Sequence, residues 1–165
     1  MMTIFGLFKG YEEAREAVDL LMENGAEMDE LNVLVQADAA RAGMEIDRSR
    51  AGVDVTDKVG DVELHGLDRL VAGQQAMPVR GIGDLYATGE LATMIASAAQ
   101  GLHQEDRGLE GALEEFGLSA DKAASHRKAI RDAGWVVVVR TEDAKARELL
   151  ALLHDHAQEL ATVTR

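Results

Sequence analysis

The chain has 165 residues, 47% of them hydrophobic and 28% charged, and its 30 acidic residues against 17 basic ones give a net charge of −13. That length fits one domain carrying an insertion, and so acidic a surface repels phosphate backbones and anionic lipid, which excludes a nucleic-acid platform. Cysteine is absent and aromatics amount to 4%, so disulfides, thiolate metal sites and cysteine nucleophiles are excluded and the core must be aliphatic.

Thr3 to Phe8 is apolar throughout and reads as a strand buried on both faces. Tyr11 to Asn24 follows as an amphipathic helix. Ala14, Ala17, Val18 and Leu21 form its apolar stripe, and Gly25 stands where a left-handed cap is expected. Leu31 to Gln36 is a second strand. Residues 37–76 are polar and rich in Ala, Asp, Arg and Gly, and are read as an insertion. Within it, Val53–Val55 and Val62–Leu64 alternate as a small hairpin would, and Leu67 to Ala72 suits a helical turn. Pro78, Gly81 and Gly83 then demand a turn or a tightly shaped loop.

Asp84 to Thr88 reads as a short third strand, and Gly89 to Gln100 as a buried helix of small apolar residues. A charged linker and a short helix from Leu109 to Phe116 come next. Ser119 is the N-cap of the following helix, which Gly134 ends. The strongest signal in the chain follows, Trp135-Val136-Val137-Val138-Val139-Arg140, β-branched and apolar on both faces. Thr141 is expected to cap a last helix running to about Leu160, with Ala146, Leu149, Leu150, Leu153, Ala157 and Leu160 as its inner face.

Apart from the insertion and the last helix, this order is β-α-β-β-α-β, and the fold class expected is α+β, a ferredoxin-like α/β sandwich forming one domain over 1–165. In that topology the first and third strands are central, the valine strand lies at an edge beside the first, and the helices cover one face. Val136 and Val138 point away from Trp135, Val137 and Val139, and both sets are apolar. The second face therefore needs a cover: the last helix, the insertion or a partner subunit. Trp135, Val136, Val138, Leu149 and Leu153 are the interface or structural residues this argument singles out.

Three segments in order also resemble a family. Phe8 to Gly25, Pro78-Val-Arg-Gly81-Ile-Gly83 with Leu85 to Ala92, and Gly117 to Asp121 with Arg131 to Val139 are similar to the small bacterial general-stress proteins with a heat-induced stress-protein domain. The resemblance covers about two-thirds of the chain. It implies a stress-associated protein and transfers no catalytic residue. Many members carry a long Gly/Ala-rich apolar stretch before the closing helix. Here Thr93, Ser97, Gln100, His103 and the Gln104–Arg107 run interrupt it, which points to a soluble variant.

His154, His156 and Glu159 are the nearest approach to a metal cluster. On one helix, His156 and Glu159 are neighbours while His154 points elsewhere, so a solvated helix end is the favoured reading. Gly81-Ile82-Gly83 resembles part of a dinucleotide loop but lacks the third glycine, Tyr86 standing there. His65 with Asp68, and His103 with Glu105 and Asp106, are chance-level acid–base pairs in so acidic a chain. His126 lies near the inner stripe of its helix as a partly buried structural residue.

No catalytic residue, cofactor or metal is called for, and an enzyme is the less favoured class. The expected function is a non-enzymatic stress-associated or regulatory interaction module that self-associates, a dimer first. The alternative is a small-molecule or ion-binding protein with a pocket between the sheet and the Pro78–Gly89 loop. No signal peptide and no run near the ~20 apolar residues of a membrane span is visible, so a cytoplasmic location is expected.

Overall fold

The computed structural model describes residues 1–50, 66–72, 74–79, 81–99 and 108–164. The valine run forms strand β5 (Trp135–Thr141), which lies between β1 (Met2–Phe8) and β2 (Leu31–Gln36) and is antiparallel to both. Val137 is the partner of Gly6 on one side and of Val33 on the other. β1 and β2 therefore run parallel with β5 between them. Paired on both sides and packed on both faces, Trp135 to Val139 show almost no surface to water, which is what a run of valines suits.

Three further strands complete the sheet: β3 (Met77–Val79), β4 (Gly83–Ala87) and β6 (Glu159–Thr164). The order is β3-β4-β2-β5-β1-β6, and every neighbouring pair is antiparallel. Seven helices among the described residues pack on it: α1 (Tyr11–Glu23), α2 (Ala37–Arg50), α3 (Gly66–Val71), α4 (Gly89–Ala99), α5 (Gly108–Glu115), α6 (Ala120–Arg131) and α7 (Asp143–Leu153).

The molecule is thus a mixed α+β protein, but its strand order is not the ferredoxin-like one. The valine strand does lie beside β1, yet it is central rather than at an edge, and β6 takes the edge position instead. The helices also divide between the two faces. Ile4, Phe8, Val33, Val35, Trp135, Val137 and Val139 pack with residues of α1, α3 and α7 on one face. Phe5, Leu7, Leu34, Val136 and Val138 pack with residues of α4, α5 and α6 on the other. The cover that the second face requires is supplied inside the chain, by the helices that precede β5.

Other differences are local. The helix after β5, expected to run to about Leu160, stops at Leu153, and Glu159 to Thr164 is a strand paired with β1. Leu160 keeps its inward position either way, because it lies across from Gly6 and packs against the core. Glu142, not Thr141, occupies the N-cap of α7, and Thr141 ends β5. The polar segment after β2 opens with α2, and the helical turn expected over Leu67–Ala72 is α3, one residue earlier. The hairpin expected over 53–64 lies outside the described residues.

The helix ends follow their capping chemistry. Ser119 Oγ accepts a hydrogen bond from the Lys122 N–H at 3.4 Å. At the end of α1, the Ala26 N–H donates to the Leu21 carbonyl at 2.9 Å and the Gly25 N–H to Met22 at 3.1 Å, with Gly25 at φ +95°. The same pair of bonds closes α6, from Gly134 to Ala129 at 2.8 Å and from Ala133 to Ile130 at 3.1 Å. Here the left-handed residue is Ala133, at φ +69°, where a Cβ is strained. Ala133→Gly is therefore expected to stabilise the protein by roughly 0.5–1 kcal/mol, the relief of strain exceeding the added freedom of the unfolded chain. Urea unfolding monitored by circular dichroism measures it.

Candidate functional site

Asn32 interrupts the aliphatic run of β2, Leu31 to Val35, and it is buried at 4% exposure. Its side-chain oxygen accepts a hydrogen bond from the Leu91 N–H at 3.3 Å, so a residue of β2 caps the first turn of α4. Thr88 completes the junction: its hydroxyl accepts from the Val33 N–H at 2.9 Å, and its own N–H donates to the Val33 carbonyl at 3.1 Å. Gly89 between them has φ +65°, and a Cβ there would stand 2.5 Å from Asn32 Oδ1. The Ala87-Thr88-Gly89-Glu90-Leu91 stretch is thereby fixed by backbone geometry, and it sets α4 over the end of the sheet.

That end carries a recess of about 240 Å³ lined by Met1, Thr3, Glu90, Met94, Glu115, Phe116 and Arg140. Arg140 reaches in from β5, donates to Glu90 Oε2 at 2.8 Å, and lies 5.6 Å from the centre of the Phe116 ring. The recess thus offers two carboxylates, one guanidinium, a hydroxyl and an aromatic face, enough polar variety to orient a small ligand. The recess adjoins Glu90, the residue after the Pro78–Gly89 segment, and its lining includes no residue of that segment.

Pro78, Gly81 and Gly83 belong to the β3–β4 hairpin, where Val79 faces Gly83 and the Ile82 N–H donates to the Val79 carbonyl at 3.1 Å. The Gln36 side-chain amide donates to the Ile82 carbonyl at 2.7 Å and ties this turn to the end of β2. Gly81 and Gly83 have φ of +82° and +99°, and they join strand to strand rather than strand to helix. The dinucleotide-loop geometry, in which phosphate meets a helix N-terminus, is not formed here.

His154 and His156 do not share a helix with Glu159. They lie in the turn after α7, and Glu159 opens β6. His154 Nδ1 is 3.7 Å from Asp155, with both side chains largely in water. Among the described residues no three His, Asp or Glu side chains are grouped to hold a metal ion. Trp135, Val136, Val138, Leu149 and Leu153 are all within the core. His65, His103, Glu105 and Asp106 lie outside the described residues. Asp68 is buried and accepts a hydrogen bond from the Tyr11 hydroxyl at 2.5 Å, a contact between α1 and α3.

His126 is the buried titratable group that the sequence underrated. It has no exposed surface, packs edge-on against Phe5 with ring centres 6.1 Å apart, and places Nδ1 2.7 Å from the Lys122 carbonyl. A carbonyl only accepts, so Nδ1 carries the hydrogen and Nε2 presents its lone pair. Among the described residues Nε2 has no hydrogen-bond partner. Burial lowers the ring's pKa below the ordinary 6.5, against the upward pull of the Lys122 bond and the Glu159 charge. The opposite balance holds at Glu30. Burial works to raise its carboxyl, but hydrogen bonds from the Glu27 N–H, Lys145 and Thr141 outweigh that and leave it lowered.

Comparison with known proteins gives no match to a family model, a curated protein or a solved structure.

Two measurements check these sites. Asn32→Ala is expected to cost about 1–2 kcal/mol by removing the cap of α4, read from denaturant midpoints. For His126, the unfolded chain takes up a proton as pH falls through the ordinary histidine range while the buried ring resists it. Stability is therefore full above that range and is lost as pH falls below it. Between about pH 8 and pH 5, His126→Phe is expected to flatten part of the decline seen in the parent protein's unfolding free energy.

Proposed function

We propose that this protein is a non-enzymatic, stress-associated or regulatory module, cytoplasmic, that acts by associating with copies of itself. The observation that carries this reading is the contrast between the two edges of the sheet. One edge, β3, has three residues and contains Pro78, which cannot donate to a further strand. The other edge, β6, has six residues, Glu-Leu-Ala-Thr-Val-Thr, without proline, lysine or a bulge glycine. Its inner side pairs with β1, and among the described residues no strand pairs with its outer side. Exposed edges are ordinarily blunted because they recruit other chains; one left open is suited to that use. The stress association rests on the resemblance of the Phe8–Gly25, Pro78–Ala92 and Gly117–Val139 segments.

No helix among the described residues is long and apolar enough to cross a membrane. Helices of the same chain pack on both faces of the sheet, so an edge and not a face is the surface available for association.

A second reading has its own observation, the recess beside Arg140 and Phe116. It makes the protein a binder of a small polar ligand, with Arg140, Glu90, Glu115 and Thr3 orienting it. Native mass spectrometry of freshly purified protein separates the two. A ligand-free dimer is expected; a monomer that retains a small molecule favours the second reading, and a ligand-free monomer removes the support for both.

A further inference from the structure

We infer that two copies join through β6 itself, antiparallel, with Thr162 on the two-fold axis, to make one continuous sheet. This rests on the self-association proposed above and specifies its geometry.

The argument starts from which way each side chain of β6 points. Thr162 pairs with Ile4, Thr164 with Met2 and Leu160 with Gly6, so these three share the face covered by α1 and α7. Ala161 pairs with Phe5 and Val163 with Thr3, on the face covered by α4, α5 and α6. Joining two identical edge strands antiparallel in one sheet requires a two-fold axis perpendicular to that sheet. Such an axis keeps each face on its own side, so even-numbered residues meet even ones and odd meet odd.

Charge then chooses between the registers. At −13 per copy, two chains repel wherever their carboxylates face each other. Leu160 to Thr164 carries no charge, and Glu159 is the one ionisable residue of the strand. With Ala161 on the axis, Glu159 falls opposite the partner's Val163, inside the new sheet. With Thr162 on the axis, Leu160 meets the partner's Thr164 and Ala161 meets the partner's Val163, and Glu159 stays beyond the paired segment. Leu160 and Val163 are half-buried at the open edge and would gain cover, while Thr162, exposed in one copy, would face its own counterpart.

The absence of cysteine makes the test clean, since any introduced thiol is unique in each copy. Residues directly opposite in an antiparallel pair have Cα atoms about 4.5–5.5 Å apart, within reach of a disulfide. The two Thr164 residues would instead lie four positions apart along the strands, roughly 14 Å, beyond that reach.

Full-length protein with Thr162→Cys is therefore expected to form a disulfide dimer under mild oxidation, and Thr164→Cys to do so at about a tenth of that yield or less. Thr162→Glu should weaken the dimer by about tenfold or more by placing like charges face to face, with the circular dichroism spectrum unchanged. Equal or preferential cross-linking through residue 164, or a dimer indifferent to Thr162→Glu, would overturn the geometry while leaving self-association standing. A parent protein that stays monomeric at high concentration removes self-association as well.

Discussion

Everything in this sheet depends on β5 being paired on both sides at once. β1 and β2 run parallel and never touch; what joins them is the valine strand laid antiparallel between them. Its two rows of side chains also carry both cores. Trp135, Val137 and Val139 meet α1 and α7, and Val136 and Val138 meet α5 and α6. Each valine is β-branched and stiff, so little side-chain freedom remains to be lost on burial.

Most of the individual elements were legible in the sequence, whereas their assembly was not. The β1, α1 and β2 segments, the helix after Gly89 (though of its described side chains only Leu91 and Ile95 are fully buried), the Ser119 cap and the valine strand all declare themselves through local periodicity and capping. The strand order did not, because a six-element alternation is compatible with several arrangements and local patterns say nothing about which strand slips between which. The composition of Trp135 to Val139 pointed to the centre while the assumed topology placed it at an edge, and the composition was the better guide.

The missed elements have specific causes. Leu153, Ala157 and Leu160 continue a helical spacing, so the chain looked helical as far as Leu160, and only the pairing of Glu159 to Thr164 with β1, distant in sequence, decides otherwise. Met77 to Val79 contains a proline, which argues against a strand except at an edge, where it is found. α2 begins in a polar stretch whose fully buried apolar residues, among those described, are the small Ala37 and Ala40, a faint stripe to read. Of the candidate sites, the recess brings together residues from β1, α4, α5 and β5, and no spacing in the chain announces that meeting. His126 was visible on an inner stripe, but its complete burial depends on Phe5 lying beneath it.

The central place of β5 has a consequence for how the protein is made. A ribosome delivers β1, α1, β2 and β4 well before Trp135, and in that interval β1 has neither of its neighbours and β2 lacks the one that ties it to β1. Phe8, Val33 and Val35 have no closed sheet to belong to until nearly the whole chain has emerged, since both partners of β1 come from its last third. Such long-range pairing makes folding slow and leaves sticky, half-finished strands exposed. A chain that ended before Gly134 would lack both strands that pair with β1.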